Sequence, residues 1–272
     1  MSNPLALARS GLVYLLLSVA AFVSIFPFFW MIVGTTNTSA DIIRGKADFG
    51  DALGTNVVAF FTQVDALRIF WNSAFIAVVG TALTLVVSSL AGYAFEIFRS
   101  RFRERLFAFM LLMLSIPFAA LMVPLFVMMA RFGLINSYTA IILPGIASIF
   151  IIFYFRQATK AFPSELRDAA RIDGLKEWQI FVYIYLPVMR STYAAAIIIV
   201  FMANWNNYLW PLIVLQTNDM KTITLVVSSL TSAYYPDFGV VMVATVLATL
   251  PTLVIFFLLQ RRFVEGMLGS IK

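Results

Sequence analysis

The segment Pro163–Pro187, PSELRDAARIDGLKEWQIFVYIYLP, is a charged and helix-prone stretch in a chain that is otherwise almost continuously apolar. Long apolar windows lie on both sides of it, and windows of that length are typical of transmembrane helices. Its first half carries most of the charges, and its second half is aromatic and aliphatic. The segment therefore predicts a structured connection, outside the hydrocarbon, between two transmembrane helices.

The composition of the 272-residue chain is that of an integral membrane protein. Hydrophobic residues make up 62% of the sequence and charged residues only 12%, whereas soluble domains carry about 25% charged residues. The absence of Cys and His excludes disulfides, thiolate or imidazole metal sites, and histidine acid–base catalysis. The net charge of +6 is typical of cytoplasmic loops that face anionic lipid. Membrane lipid, and not nucleic acid, is the expected contact.

Six apolar windows predict six transmembrane helices, because each crossing of a hydrocarbon core of about 30 Å uses about 20 residues. The predicted spans cover about residues 12–33, 73–95, 107–129, 138–155, 192–215 and 238–260. The fourth span begins at Tyr138, because Gly133–Ser137 has the composition of a turn. We expect residues 1–272 to form a single all-helical transmembrane domain, with a connection over about residues 156–190 between the fourth and fifth spans.

The positions of Lys and Arg predict the orientation of the chain. One set of flanks comprises the N-terminus, the connection between the second and third spans, the 156–190 connection and the C-terminal tail, and it holds most of the 19 basic residues. The opposite flanks hold only Arg44, Lys46, Arg68, Arg131 and Lys221. By the positive-inside rule, both termini and the Pro163–Pro187 segment are expected in the cytoplasm.

The acidic residues argue against an ion-coupled mechanism. All 13 Asp and Glu residues fall outside the apolar windows or at their edges, so no carboxylate within the membrane is available as a proton relay or ion ligand. The chain also lacks a GxxxxGK[ST] phosphate loop and an HExxH motif. We therefore predict no catalytic residue, no metal ligand and no cofactor bound by this chain, and energy for transport would have to come from a partner.

A short helix is predicted at the start of the charged connection. Ser164 is a suitable N-cap, Glu165 places negative charge in the first turn, and Gly174 is suited to end the helix at C′. One narrow face has apolar and small residues at i, i+3, i+4 and i+7. Its members are Leu166, Ala169, Ala170 and Asp173. The two alanines at its centre would let another surface approach closely.

A second amphipathic stretch follows the short helix. Its apolar residues again recur at helical spacing, and they are Trp178, Phe181, Val182, Tyr185 and Leu186. We expect this face to pack the short helix rigidly against the bundle, so that force on one moves the other.

The pattern Asp168-Ala169-Ala170-x-x-Asp173-Gly174, followed by Leu186-Pro187, resembles the EAA signature of binding-protein-dependent ABC importer permeases, with Asp168 where that family usually has Glu. Further matches resemble the smaller, maltose-type permease subunit of the carbohydrate branch. They are Phe70–Ser73, Gly133–Ser137, Asn204–Asn206 and Phe263–Gly266. The resemblance covers essentially the whole chain and implies the type I ABC importer permease fold. It also implies that the loop is a coupling helix that docks on an ATPase subunit, through Glu165, Asp168, Ala169, Ala170, Asp173 and Gly174.

The resemblance implies a permease subunit of an ATP-driven importer of an oligosaccharide, disaccharide or glycoside, in the bacterial inner membrane. The partners it implies are a second permease subunit, two cytoplasmic ATPase subunits that use ATP and Mg, and an extracytoplasmic sugar-binding protein. The chain itself would catalyse no reaction. A stand-alone secondary carrier of a neutral solute and a structural subunit of a membrane complex are the alternatives.

The fifth predicted span contains a cluster of amide and aromatic side chains, namely Asn204, Trp205, Asn206, Asn207 and Tyr208. Amides hydrogen-bond sugar hydroxyls, and aromatic faces stack on the apolar faces of sugar rings, so the cluster suits the lining of a sugar path. The same residues would also suit hydrogen bonds between helices and an aromatic belt at the membrane interface. Both interpretations stay open.

Overall fold

The computed structural model describes residues 4–268, and it describes side chains over residues 10–261. These residues are helical almost throughout and form no strand, which confirms the all-helical class. The side chains of the Phe263–Gly266 match lie outside the described set.

The α-helices are numbered here in chain order. They are α1 Pro4–Thr35, α2 Ser39–Ile43, α3 Leu53–Gln63, α4 Ala66–Ile97, α5 Arg101–Met113, α6 Phe118–Arg131, α7 Tyr138–Ile142, α8 Ile149–Thr159, α9 Ser164–Ile172, α10 Glu177–Ile180, α11 Leu186–Val188, α12 Arg190–Trp205, α13 Leu209–Val214, α14 Ile223–Thr231 and α15 Phe238–Leu268. Two 3₁₀ turns cover Leu143–Gly145 and Asn218–Met220, and a π-helical turn covers Phe181–Tyr185.

Four continuous segments of the described chain are long and apolar enough to cross a membrane. They are Ser10–Thr35, Ala66–Ile97, Arg190–Val214 and Phe238–Arg261, and they coincide with the predicted first, second, fifth and sixth spans. Two further pairs of helices meet the same criteria together but are bent, by 101° between α5 and α6 and by 42° between Tyr138–Gly145 and Ile149–Thr159. The described chain thus has four candidate spans, or six if each bent pair is one span.

The third predicted span, 107–129, is not one continuous helix. Helix α5 ends at Met113, and α6 begins after Pro117, whose backbone is extended with ψ 137°. Proline has no N–H to continue a helix and disfavours the helical conformation in the residue before it. Pro124 lies within α6 without ending it, so only one of the two prolines in this window breaks the span.

The fourth predicted span begins at Tyr138 as expected. The Ser137 hydroxyl accepts a hydrogen bond from the Ala140 N–H and caps α7. The helix then tightens at Leu143–Gly145, which contains Pro144, and α8 starts after a second serine cap at Ser148. The bend of this pair therefore follows from the local sequence.

The chain forms two compact units, and the first comprises the chain up to Ala66 together with Val226–Leu250. In this unit the buried Asn56 side chain donates hydrogen bonds to the Thr35 and Asn37 carbonyls at 2.8 and 2.9 Å. A Cβ atom on Gly239 would lie 2.5 Å from the Asn56 amide, so glycine is required there. These contacts fix α3 against the end of α1 and the start of α15.

The second unit comprises Leu67–Leu225 with the chain after Pro251, and α4 runs through its core. Three buried clusters lie along this helix, at Ile76, Leu85 and Tyr93. Successive clusters are about 13 Å apart, at a rise of 1.5 Å per residue. The first cluster joins α4 to α7 and α13, the second to α8 and α12, and the third to the connection that carries α9.

Candidate functional site

Helix α9 forms over nine residues between a proline and a glycine, as predicted. Its N-cap is Pro163, and no side chain caps it. The expectation that Ser164 is the N-cap is wrong, because Ser164 is already the first helical residue. Glu165 does lie in the first turn, where negative charge interacts favourably with the helix dipole.

The C-terminus of α9 is closed by Gly174, which confirms its expected position at C′. Gly174 has a φ of +83°, a left-handed conformation that glycine adopts without steric cost. Its N–H donates to the Arg171 carbonyl at 3.1 Å, and the Leu175 N–H donates to the Ala170 carbonyl at 3.0 Å. The two bonds form a complete Schellman motif, which gives the helix a sharp and well-defined end.

The outward face of α9 differs from the predicted one. Ala170 is only 3% exposed within the chain itself, so its small side chain does not present a surface to another protein. The outer face lies one position earlier and has members at i, i+3, i+4 and i+7. It comprises Glu165, Asp168, Ala169 and Ile172, with Asp173 beside them, and all five are exposed.

Ile172 is the residue that sequence reasoning missed on this face. Its side chain is 87% exposed, and it is an isolated aliphatic residue in a strongly charged helix. The signal for it was the spacing from Glu165, Asp168 and Ala169, which is the same helical pattern as the predicted face.

A pair of ions ties α9 to α10. The Arg171 guanidinium contacts the Glu177 carboxylate at 2.5 Å and lies 3.9 Å from the Asp168 carboxylate. Because Glu177 follows the Gly174 turn, this pair closes the two short helices on each other.

The second half of the connection packs on α4 through two of the predicted residues, Phe181 and Tyr185, whose rings contact Tyr93. Ile180 and Tyr185 are fully buried and Phe181 nearly so, whereas Trp178 and Val182 are 59% and 42% exposed. The reason is the π-helical turn Phe181–Tyr185, because a π-turn holds more residues than an α-turn and shifts the buried face. The expected face is therefore wrong for Trp178 and Val182 and confirmed for Phe181 and Tyr185, and the expected packing against the bundle is confirmed.

Tyr185 anchors this packing. Its ring lies 4.8 Å from the Tyr93 ring of α4, and its hydroxyl lies 2.7 Å from the Thr159 hydroxyl of α8. Thr159 donates its own proton to the Phe155 carbonyl, so Tyr185 is the donor to Thr159. Burial raises the pKa of Tyr185, which keeps this donor protonated.

A buried ion cluster joins three helices near this anchor, and sequence reasoning did not foresee it. The Arg156 guanidinium of α8 donates to both carboxylate oxygens of Glu104 in α5, at 2.6 and 2.8 Å. It also donates to Glu96 of α4 at 3.4 Å, and it lies 4.1 Å from the centre of the Phe107 ring. The sequence signal was the position of all three charges at the edges of apolar windows.

The five predicted path residues have different surroundings in the structure. Trp205 is buried and stacks on Phe201 at 5.8 Å, Asn206 caps α12, and the Asn207 carbonyl accepts a hydrogen bond from Thr224. Tyr208 packs against the cluster around Trp210. Four of the five therefore have structural contacts.

Asn204 is the member of the set that lines a described cleft. Its amide lies 3.4 Å from the Thr81 hydroxyl of α4, and it lines a cleft of about 150 Å³ together with Thr84, Ser148 and Phe150. Hydroxyl, amide and aromatic groups are the groups that bind sugars.

The far end of α4 holds a second network that the sequence did not reveal. The Asn72 side chain is fully buried, donates to the Asp219 and Lys221 carbonyls at 2.9 and 3.0 Å, and accepts from the Tyr138 hydroxyl at 2.6 Å. A hydrogen bond from Thr217, with the charge of Arg68 adding to it, holds the pKa of Asp219 below its ordinary value. The loop after α13 is therefore fixed to the starts of α4 and α7.

Within the described residues, no three His, Cys, Asp or Glu side chains lie together as a metal site would require.

Comparisons with known proteins agree with these features. Residues 97–269 match the family described as binding-protein-dependent transport system inner membrane component. The lactose transport system permease protein LacG of Rhizobium radiobacter is 70% identical over 259 residues, which cover 95% of each chain. The arabinooligosaccharides transport system permease protein AraQ of Halalkalibacterium halodurans is 36% identical over 261 residues, or 93% of this chain and 92% of that one.

The fold is also similar to a solved one. A chain in the crystal structure of a bacterial ABC transporter involved in the import of the acidic polysaccharide alginate superposes with a TM-score of 0.83, covering 97% of this chain and 99% of that chain at 18% sequence identity.

Proposed function

Because this chain belongs to the family of binding-protein-dependent transport system inner membrane components, we propose that it is the permease subunit of an ATP-driven sugar importer, with a disaccharide of the lactose kind as its cargo. The observation that carries this proposal is the 70% identity, over 95% of both chains, to a lactose permease. The chain is a membrane component of the transporter and not an enzyme. Family membership favours this function over that of a stand-alone carrier.

The proposed complex contains a second permease subunit, two cytoplasmic ATPase subunits that use ATP and Mg, and an extracytoplasmic sugar-binding protein. The need for an external energy source is supported by the sequence, which has no phosphate loop of its own. ATP-driven closure of the ATPase subunits would shift the permease between two states, one open to each side of the membrane.

In this proposal α9 receives the force of the ATPase subunits through Glu165, Asp168, Ala169, Ile172, Asp173 and the turn at Gly174. Three observations support the assignment. The face is exposed, the helix end is closed by a complete Schellman motif, and the connection is anchored to α4 through Tyr185. Ala170 contributes by letting α9 sit close to its own chain.

We further propose that each bent pair crosses the membrane once, so that the chain has six spans and both termini lie in the cytoplasm. Asn72 and Glu96, on α4, are separated by about 36 Å at 1.5 Å per residue, which exceeds the hydrocarbon thickness of about 30 Å. The pair α5–α6 starts near Glu104, which shares the Arg156 guanidinium with Glu96 at one end of α4. It leads to the turn at Asn136, whose side chain donates to Thr217. Thr217 lies in the loop that Asn72 binds at the other end of α4.

The second bent pair supports the same topology. It runs from Tyr138, which contacts Asn72, to Arg156, which contacts Glu96. Each bent pair therefore follows the length of α4 despite its bend.

The sugar path is proposed to include Asn204, at the cleft that Thr84, Ser148 and Phe150 also line. The polar groups of this cleft would offer hydrogen bonds to sugar hydroxyls, and the volume of about 150 Å³ suits part of a sugar rather than a whole oligosaccharide. The other path residues, Trp205, Asn206, Asn207 and Tyr208, would shape the cleft from behind it.

Uptake of labelled lactose tests the function. A strain that lacks the gene is expected to lose binding-protein-dependent uptake and to regain it when the gene is restored. The purified complex in proteoliposomes should transport lactose with ATP and without an ion gradient. Accumulation of sugar by this chain alone, without companion proteins or nucleotide, would contradict the proposal.

The path assignment has its own test. Asn204→Ala is expected to change the KM for lactose, or the preference between lactose and longer sugars, at normal protein abundance. Asn218→Ala, which removes an exposed amide from an external loop, is the matched control and should leave both unchanged. If Asn204→Ala changes only protein abundance, Asn204 does not line the path.

A further inference from the structure

The stability of the packing between these helices does not by itself explain why the Arg156 site is made of charged residues. The Arg156 and Glu96 side chains are only 8% and 7% exposed, and burying charges costs free energy that ion pairing only partly recovers. Apolar residues of the same size often stabilise a protein equally well. What the ionic version adds is a fixed geometry, because the Arg156 guanidinium is planar and reaches Glu104 through Nη2 and Glu96 through Nε.

The cluster is electrically balanced and tightly placed. Arg99 contacts the Glu96 carboxylate, so two arginines face the two carboxylates Glu96 and Glu104. The Phe107 ring covers the Arg156 guanidinium, which adds a favourable cation–π contact. The guanidinium therefore has contacts with α4 and with two residues of α5.

A glycine brings the helices close enough for these contacts. A Cβ atom on Gly92 would lie 2.6 Å from the Phe155 Cβ and 2.8 Å from the Arg156 nitrogen, so the backbones of α4 and α8 touch there. Glu96 lies one turn after Gly92 on the same face of α4. The close approach at Gly92 thus places Glu96 within reach of Arg156.

Because of its position in the chain, the cluster connects the segment that leads into α9 with the start of α5. Arg156 lies in the last turn of α8, and the chain continues from there through Phe162 into α9. Phe162 belongs to the buried cluster of Tyr93 and Tyr185, so the end of α8 and the connection are packed as one body. On the other side, Glu104 lies in the first turn of α5, the first half of the bent third segment.

We infer that Arg156 is a positioning residue for coupling, which with Glu104 and Glu96 locks the start of α5 and the end of α4 to the end of α8, so that a displacement of α9 moves α5 with it. The inference rests on the proposed function, because it names the path by which force on α9 reaches a membrane helix. Breaking these ion pairs should leave the complex able to hydrolyse ATP, but it should transport less sugar for each ATP hydrolysed.

The test measures the number of ATP molecules hydrolysed per sugar transported, with the whole complex in proteoliposomes. Arg156→Met leaves Glu104 without its ion-pair partner and leaves Glu96 with Arg99 alone, and we expect it to raise this ratio at least fivefold, about the lower limit of ordinary allosteric coupling. Arg156→Lys keeps the charge but loses the planar guanidinium whose Nη2 and Nε reach two different carboxylates, and we expect an intermediate rise. Arg101→Gln, an exposed position on the same helix as Glu104, is the matched control and should change the ratio less than twofold.

Glu104→Gln keeps the test decisive if Arg156→Met fails to assemble. Glu104 is half-exposed, so its neutral isostere is expected to fold and still to raise the ratio. A purely structural role would lower the abundance of assembled complex without changing the ratio. If Arg156→Met assembles and has the wild-type number of ATP molecules hydrolysed per sugar, the inferred role of Arg156 is wrong. If Arg156→Met does not assemble, a wild-type ratio in Glu104→Gln has the same meaning. Neither result affects the proposed function. If the wild-type complex itself shows no ATP-dependent uptake, the proposed function fails and the lock fails with it.

Discussion

At the scale of single residues, the end of α9 depends on a backbone conformation that suits glycine alone. Gly174 has a φ of +83°, and no neighbouring atom lies within 4 Å of the place its Cβ would take. A side chain there would meet no clash, so the cost of a substitution comes from the backbone and amounts to about 1–2 kcal/mol. That cost falls on the turn between α9 and α10.

Gly174→Val is therefore expected to loosen the end of α9 without preventing membrane insertion. We expect normal abundance in the membrane, together with ATP hydrolysis that no longer drives sugar uptake. The control is Gly54→Val, which also places a side chain in open space but within helix α3 at an ordinary φ. Normal uptake by Gly174→Val would show that the shape of this turn is unimportant.

Asp173 occupies a position where its charge does not help the helix. It is the C-cap of α9, and a carboxylate near a helix C-terminus is unfavourable by about 0.3–1 kcal/mol when exposed. Asp173→Asn should therefore leave α9 at least as stable and still lower sugar uptake per ATP, because in the proposed function the carboxylate contacts an ATPase subunit. Asp51→Asn, at an exposed position in the loop that we propose to be external, should leave uptake per ATP unchanged. An unchanged ratio in Asp173→Asn would remove this residue from the coupling face.

The sequence predicted some of these residues and not others for a physical reason. Gly174 follows from local chemistry, because many helices end at a residue with positive φ, and that residue is usually glycine. The side of α9 that faces its own chain depends on distant residues, including Tyr93 of α4 and the π-helical turn at Phe181–Tyr185. Periodicity alone could not reveal that Ala170 is buried and Ile172 exposed.

At the scale of elements, hydropathy predicted where the apolar segments lie but not where they break. Pro117 ends a helix and Pro124 does not, although both lie in one apolar window. The difference depends on whether neighbouring groups satisfy the carbonyls that a proline leaves free, and those neighbours are distant in sequence. The hydrogen bonds of Asn72 also depend on residues that are distant in sequence. In the sequence itself, Asn72 is an ordinary polar residue at the edge of a predicted span.

Asn72→Ala is expected to release the loop that follows α13. The substitution leaves the Lys221 carbonyl and the Tyr138 hydroxyl without their Asn72 partner and leaves the Asp219 carbonyl with Arg68 alone, at a cost of about 1–3 kcal/mol for each unpaired group that stays buried. Trypsin cleavage after Lys221 in membranes with the external side accessible should become faster, and the size of the fragment identifies the site.

Asn218→Ala is the control for this experiment. It removes an exposed amide from the same loop, so cleavage after Lys221 should proceed at the wild-type rate. Equal cleavage of Asn72→Ala and wild type would mean that the Asn72 hydrogen bonds do not hold the loop in place.

At the scale of the whole molecule, the all-helical class could be predicted because the membrane imposes it. Hydrocarbon offers no partner for backbone N–H and C=O groups, so apolar windows of this length must be helical. The Glu96, Glu104 and Arg156 cluster could not be predicted, because it brings together residues that are far apart in sequence, on three separate helices. The same long-range contacts provide the argument for the topology, since they place both ends of each bent pair along α4.

Single-cysteine labelling decides that topology, and the absence of native Cys makes the chain suited to it. If α5 and α6 cross the membrane once despite their 101° bend, Arg131→Cys should react with an impermeant maleimide from the external side, as should Asn218→Cys. Arg101→Cys and Lys160→Cys should react only after the membrane is opened. All four positions are exposed, so burial does not explain a failure to react. Protection of Arg131→Cys together with Arg101→Cys would mean that α5 and α6 enter and leave on the same side, and the chain would then have fewer than six spans.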